Sequence, residues 1–573
     1  MQAIEDGGVF GRTTRRDHRN TDYGLLNEQL SSALASLHHS ADSRDDVDDL
    51  LMCFNDVVIG LLDVHAPLIS RTQRRNPAPW FTPALRARCR ERDSLYRLAR
   101  RTCNAVLLGR YRVLRRLIKQ DIERARERYL REGIAACVDD AQRWSFMQRL
   151  GLVSISHPSP LDHFSAEELI AHYSTINNSH PPCTEEALEE IIATPLMHRD
   201  VVFAFQPVTE LQALEALRWI ARGARGRSCD GISLTYLSQS LLIIAPFITR
   251  IFNAAISNGR YPTLWRTSTI TPVSKVARPQ SPAQTRPIAN LPHLARACDR
   301  LITLQISAYL EENSLLSPLQ SGFRSGYSTQ TALLKVTEDI RQAIDKSLVT
   351  VLVLFDFKCA FDTLNHEVLL RRLHEVGFGD LSLRLMHSFL SGRRQAVIGE
   401  GGATSSYRTC TSGVPQGSSP GPVLFSIFIN SLLDVLQHCG ATAMLFTDDL
   451  QIYLSCEPDK LNDTIARINA DAHSVLQWSR DCGLTLNIPK TQAIVVASDQ
   501  RHMRLDLRAC SPVQIDGVTV PFQEKVRDLG MTIARNMSWK SHVNQLSSRV
   551  HGVLHRLRAH SRLLSIEVRR LLV

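Results

Sequence analysis

Ala443-Met444-Leu445-Phe446-Thr447-Asp448-Asp449-Leu450-Gln451-Ile452-Tyr453 sets two adjacent aspartates between two short apolar, β-prone runs. Adjacent carboxylates repel, and at a folded site such a pair raises its own pKa. A chain tolerates the pair at a solvated turn, or uses it where a divalent cation neutralises it. About ninety residues earlier a third aspartate, Asp356, ends another apolar run, Thr350-Val-Leu-Val-Leu-Phe-Asp356-Phe357. A continuous apolar run of this kind suits a strand covered on both faces. A strand-end carboxylate beside hairpin-tip carboxylates is the geometry a two-metal phosphoryl-transfer site needs. Taken alone, an Asp-Asp pair is more often a turn or surface pair, and Asp356 could simply cap the helix after it. The ordered set is what carries the reading.

The 573 residues should hold two to four domains with ample material for a core. Hydrophobic content of 44% and charged content of 22% are those of an ordinary globular protein. The net charge of +10 is unevenly spread. Arg71–Arg131 carries 19 Lys and Arg against 5 Asp and Glu, which leaves the rest of the chain near −4. Such a block reads either as a solvated arginine face or as a contact for a polyanion, RNA or DNA. The 13 cysteines are scattered, without zinc-ligand spacing, which points to a reducing intracellular setting. No basic-then-apolar signal pattern opens the chain. The apolar run Leu241–Ile248, broken by Pro246, is too short for a membrane span, so neither secretion nor membrane insertion is expected.

Leu50–Leu62 reads as a helix, Arg71–Pro83 as a proline-bearing linker, and 84–150 as a long arginine-rich helical pattern. Ser165-Ala-Glu-Glu168 has capping-box spacing. Helices are expected near 209–222, 232–257, 293–312, 329–345, 366–376, 381–390, 422–436, 459–482 and 540–573. Strands are expected near 268–273, 350–357, 395–398, 406–410 and 492–497, with a short β region after 500. A proline-rich loop holding Pro279 and Pro282 delivers Arg286-Pro287-Ile288, Gln320–Ser328 is read as a loop, and Gly413-Val-Pro-Gln-Gly417 as a tight loop before the helix at 422–436.

Read together, these segments resemble a reverse transcriptase of the non-LTR (LINE-type) retrotransposon class, nearest to jockey-like insect elements. The resemblance runs from Ala78-Pro-Trp-Phe to the C-terminus and is strongest over about 265–535. It rests on Arg286-Pro-Ile, on Gln320-Ser-Gly-Phe-Arg-Ser-Gly-Tyr-Ser-Thr-Gln-Thr-Ala-Leu-Leu334, and on Phe355-Asp-Phe-Lys-Cys-Ala-Phe-Asp362-Thr-Leu-Asn-His. It continues through Gly413-Val-Pro-Gln-Gly-Ser-Ser-Pro-Gly-Pro-Val-Leu-Phe425, Phe446-Thr-Asp-Asp449, Gly483-Leu-Thr-Leu-Asn-Ile-Pro-Lys490-Thr and Val526-Arg-Asp-Leu-Gly530. The pattern departs at Lys358-Cys359, Ser419-Pro420, Asn430-Ser431 and Thr447, none of which removes an aspartate of the set.

The resemblance implies an α+β right-hand polymerase with fingers, an antiparallel-sheet palm, a partial thumb and an α-helical N-terminal extension. Its expected divisions are 1–83, a remnant or linker after an absent endonuclease; 84–200, the arginine-rich extension; 201–345, fingers; 346–500, palm; and 501–573, primer grip and the start of a truncated thumb. It implies Asp356, Asp448, Asp449 and the Phe357 carbonyl as ligands of two Mg²⁺ ions, with Mn²⁺ as the alternative. Phe361 would sit beneath the incoming sugar and exclude a 2′-hydroxyl; on residue type alone it is a core aromatic. Gln416 and Gly417 would line the nucleotide pocket, and Lys275 and Arg286 would face the triphosphate. Lys490 would protonate the leaving pyrophosphate, unless it is a solvated lysine, and Leu529-Gly530 would belong to a primer grip. Asp362 reads as structural. The implied partners are an RNA template, a DNA primer and deoxynucleoside triphosphates, with no membrane. The implied location is the nucleus or cytoplasm. Two rivals stand beside this reading: an RNA-dependent RNA polymerase, and a non-catalytic RNA-binding remnant of the same kind of element.

Overall fold

The computed structural model describes residues 10–17, 20–40, 46–73, 78–149, 159–195, 202–223, 228–232, 234–399, 402–559 and 566. The chain divides into two compact units. One contains Met1–Thr13, Arg71–His157 and His542–Val573; the other contains Thr14–Ser70 and Pro158–Ser541.

In the first unit the arginine-rich pattern is not one helix. It is split into Pro83–Thr102, Ala105–Ala135 and Asp140–Arg149. The break is chemical. Cys103 takes a left-handed φ of 47°, and the Asn104 side chain accepts from the backbone N–H of Val106 and Leu107, an N-cap that restarts the chain as a new helix. The first two helices pack together through Tyr96 on Tyr111, 4.8 Å between ring centres, and an Arg88–Asp121 ion pair. Helix Lys540–Ala559 is the last one described; the rest of the expected 540–573 helix lies outside the described residues apart from Ile566.

The second unit is built on two four-stranded sheets. The first runs in the order Gln492–Val496, Val349–Phe355, Asp449–Cys456, Thr442–Phe446, antiparallel throughout. Val349–Phe355 is buried at every position because alternate side chains enter different cores. Leu352 and Leu354 join Ala332, Val336 and Ile340 of helix Thr329–Asp345. Val351, Val353 and Phe355 belong to the larger core, which takes in helix Pro420–Leu436 and helix Leu461–Asp481.

The second sheet runs Thr285–Asn290, Thr267–Ser274, Arg393–Val397, Arg408–Cys410. It is mixed, with Thr267–Ile270 parallel to Arg394–Val397. Arg286-Pro287-Ile288, which the proline-rich loop delivers, lies in an edge strand in register with Thr271–Val273. Proline is tolerated there because an edge strand can spare the donor it lacks.

Helices Tyr23–Ser40 and Val47–His65 pack on Leu234–Ser257, with Phe54 stacked on Phe247 at 5.8 Å, so both helices are part of this core. Ser238–Ser257 is long and apolar enough to cross a membrane, contrary to the expectation from the shorter run; 56% of it is buried inside the protein.

Candidate active site

The two-residue turn Thr447-Asp448 joins Thr442–Phe446 to Asp449–Cys456, with Phe446 opposite Asp449. Thr447 has a left-handed φ of 58°, and its hydroxyl lies 3.0 Å from Asp448 Oδ1. In the neighbouring strand Phe355 is opposite Leu450. One step further along this register sets Asp356 beside Asp449. The carboxylates at 356, 448 and 449, far apart in sequence, therefore meet at one end of one sheet.

A segment read from sequence as plain loop supports this end. Leu445 N–H donates to Leu319 O at 3.0 Å and Ser321 N–H to Leu445 O at 2.8 Å, extending the sheet past its edge. The buried Gln320 side chain accepts from Gly322 N–H at 2.8 Å and Thr447 N–H at 3.4 Å. A Cβ on Gly322 would stand 2.4 Å from Thr447 N. Gly322→Ala should therefore push the aspartate turn out of place and lower stability by about 2 kcal/mol, the usual cost of overpacking. A thermal melt beside an extension assay would read both; an unchanged melt removes the close approach from the account.

Asp356 is held from the other side. Asn487 donates its N–H to Asp356 O at 2.7 Å and its side-chain amide to Asp356 Oδ2 at 2.6 Å. Lys490 Nζ lies 3.7 Å from the same Oδ2 but is 71% exposed, a loose ion pair rather than an aimed donor. Asn487 was not singled out from sequence; only its place three residues before Lys490 hinted at it.

The electrostatics fit a cation. Desolvation, then the Asp356 charge, raises the Asp448 pKa, against Arg286, which lowers it. Desolvation, then Asp448 and Asp356, pushes Asp449 up to about 6. Mutually raised carboxylates are what a divalent ion would relieve. Among the described residues no three His, Cys, Asp or Glu side chains form a ready cage. Two or three carboxylates at one sheet end could form the sparse oxygen set that a hard divalent cation completes with water and phosphate oxygens.

A cavity of about 490 Å³ opens beside these residues. Asp356, Asp448, Lys275, Arg286, Phe357, Phe361, Gln416, Gly417 and Lys490 all line it; Asp449, Leu529 and Gly530 do not. The Phe357 ring is turned into the core against Trp478. Phe361 is half-buried, stacked on Phe425 at 4.3 Å and meeting Phe323 edge-on at 6.1 Å, so the core-aromatic and cavity-wall readings are both true of it. Lys275 and Arg286 are exposed on paired strands of the second sheet, although Lys275 itself lies just beyond its strand; its Nζ donates to Ala283 O at 2.9 Å.

Gln416 is pinned. Its Nε2 donates to both Asp362 oxygens, at 2.8 and 2.7 Å, and its carbonyl accepts from Ala289 N–H at 2.7 Å. Gly417 has a φ of 119°, and a Cβ there would stand 2.8 Å from Ala289 O. Burial pushes the Asp362 carboxyl up to about 6, opposed by Gln416 and then Lys275. The structural reading of Asp362 is thereby given a specific object, the Gln416 side chain.

Leu529 and Gly530, with φ of 42° and 88°, form the turn between Lys525–Asp528 and Met531–Ala534. Two successive positive φ values are the mark of a type I′ hairpin. The hairpin reaches the strand Asp449–Cys456 through Asp528, whose Oδ1 accepts from Gln451 Nε2 at 2.8 Å. Neither partner was singled out from sequence.

Residues 275–533 match the family described as Reverse transcriptase (RNA-dependent DNA polymerase). The chain is 28% identical to "Probable RNA-directed DNA polymerase from transposon X-element" of Drosophila melanogaster, over 60% of its own length and 37% of the relative's. It is 25% identical to "Probable RNA-directed DNA polymerase from transposon BS" of the same species, over 54% and 34%. It is 24% identical to "RNA-directed DNA polymerase from mobile element jockey", also of that species, over 52% and 32%. The chain thus spans about a third of the length of these relatives.

Proposed function

We propose that residues 275–533, which match the reverse transcriptase family model, are a reverse transcriptase domain of the non-LTR retrotransposon kind, as in the relatives the chain resembles, and that the chain is an RNA-directed DNA polymerase, extending a DNA primer along an RNA template with deoxynucleoside triphosphates. The observation that carries the reading is the convergence of Asp356 with Asp448 and Asp449 at one sheet end, beside a cavity walled by cations. In this reading the antiparallel sheet is the palm, residues 201–345 are the fingers, and helix Lys540–Ala559 begins the thumb.

Asp356, Asp448 and the Phe357 carbonyl would hold the ions, with Asp449 in support. Mg²⁺ bound there would supply Lewis-acid activation of the primer hydroxyl and neutralise the departing pyrophosphate. Arg286 and Lys275 draw the triphosphate into the cavity and screen its charge. Lys490, exposed and free to swing from Asp356, delivers a proton to the pyrophosphate. Gln416, locked by Asp362, and Gly417, close against Ala289, form the floor for the nucleotide and template. Leu529-Gly530 grips the primer, and Phe361 crowds the position of a 2′-hydroxyl.

The test is primer extension by the full chain on an RNA template, with deoxynucleotides or ribonucleotides, in Mg²⁺ and in EDTA. The parent should extend only with deoxynucleotides and only with the ion. Phe361→Ala should relax the sugar preference by roughly ten- to a hundredfold, the range of a single steric contact. Extension by the parent with ribonucleotides would favour an RNA polymerase. RNA binding without extension in either Mg²⁺ or Mn²⁺ would favour a non-catalytic remnant.

A further inference from the structure

A second cavity, of about 400 Å³, lies between helices Glu210–Gly223 and His293–Glu312 and shares no residue with the first. Ala213, Ala216, Leu217 and Ile220 turn one face of the first helix into the core. Arg218, Trp219 and Arg222 stand on the other face, exposed. From the second helix come Arg300 and Leu304, the latter 51% exposed. The Arg300 guanidinium sits 4.3 Å from the centre of the Trp219 ring.

This face is expensive for the fold alone. Like charges at i and i+4, as at Arg218 and Arg222, destabilise a helix, and a 44% exposed tryptophan gains little from burial. One carboxylate, Glu215, lines the cavity. Among the described residues none of the three arginines forms an ion pair with it or with any other acid. Guanidinium groups without an acid partner, beside an aromatic ring and the Gln212 amide, match a phosphate backbone with a base to stack. The Arg300 guanidinium plane over the Trp219 ring offers a base a flat stacking surface, which an acidic peptide would leave unused.

We infer that this cavity binds single-stranded nucleic acid, as a holding site apart from the polymerisation cleft. It extends the proposed function but does not require catalysis. The test is fluorescence anisotropy of the full chain with labelled oligo-rU and oligo-dT across a salt series, for the parent and for R218Q/R222Q/R300Q. Arg218 and Arg222 are exposed and Arg300 is half-buried; relief of the Arg218–Arg222 repulsion offsets loss of the Arg300–Trp219 contact, so the variant should melt close to the parent. Its affinity should fall at least tenfold, and the slope of log K against log salt should lessen by about 2, from three lost phosphate contacts at roughly 0.7 each. Trp219→Ala should weaken binding about tenfold without changing the slope, and Trp219→Phe should restore it. The two oligonucleotides show which sugar is preferred; a loss with either supports the site. A mapped photocrosslink from 4-thiouridine RNA to 210–222 or 300–305 supports it independently of the variants. Unchanged affinity and slope with both strands would overturn it, as would displacement of the effect onto a polyglutamate probe. Extension on a short template at saturating concentration should be unaffected, so failure of the holding site and failure of the polymerase reading give different results.

Discussion

Asp448→Asn should lower primer extension about a thousandfold or more and leave the chain folded. Asparagine keeps the shape and can still take the hydrogen bond from the Thr447 hydroxyl. What it loses is the negative charge, and Lewis-acid stabilisation of a phosphoryl transition state is worth several kcal/mol, about a thousandfold in rate for 4 kcal/mol. A second readout separates a site residue from a structural one. The Asp448 pKa is raised by desolvation and by Asp356. A carboxyl raised in the folded state is ionised at a cost, so stability is lost as pH climbs above the ordinary aspartate value. Without metal at pH 8 the amide should therefore melt at or above the parent's temperature while activity is gone. A variant that extends as fast as the parent would sink the metal assignment. One that melts well below it would make Asp448 a structural residue.

What could be read from the chain was whatever lies within one element. Val349–Phe355 announced itself because every position but Thr350 is apolar, and the hairpin at 442–456 because two β-prone runs flank a two-residue turn. Ser165 was legible as a cap, and it caps; Asn104 carried a cap signal inside the arginine-rich pattern, where helical periodicity masked it. What could not be read was pairing between distant segments. The parallel rungs from Thr267–Ile270 to Arg394–Val397, Leu319–Ser321 on Leu445 and Asn487 on Asp356 have no local signature, because backbone hydrogen bonds carry no residue code. The same holds for the site. The aspartates were visible from spacing, and Phe361, Gln416 and Leu529-Gly530 from resemblance. Asp362 and Asp528, which hold Gln416 and Gln451, were invisible as partners until the fold brought them together.

The Asp528–Gln451 pair makes the other large prediction. Both side chains are buried, at 3% and 1% exposure. Gln451 Nε2 donates to Asp528 Oδ1, while Gln451 Oε1 and Asp528 Oδ2 have no partner. One proton on Oδ2 would satisfy both, closing a two-bond acid–amide pair and avoiding a buried charge. Burial, then the Asp449 charge, pushes the Asp528 carboxyl up to about 7, which agrees with a neutral acid. The direction of the pH effect follows. The folded state binds the proton more tightly than the unfolded chain, so this group costs stability progressively as pH rises from about 4 to about 7. An increase from 3.8 to about 7 is worth at most about 4 kcal/mol at 1.36 kcal/mol per unit, and relaxation around the pair should leave about 2. Asp528→Asn supplies an uncharged donor in the same place. It should match the parent near pH 4, gain about 2 kcal/mol by pH 8, and show its steepest gain between. Melting curves over that range in EDTA would measure it. A gain independent of pH would mean Asp528 does not titrate there, and a loss at pH 8 would mean the ionised carboxylate is the form the fold uses. Because Gln451 lies two residues past Asp449 on the same strand, a neutral pair at this point ties the Leu529-Gly530 hairpin to that strand without adding a fourth negative charge beside the three aspartates.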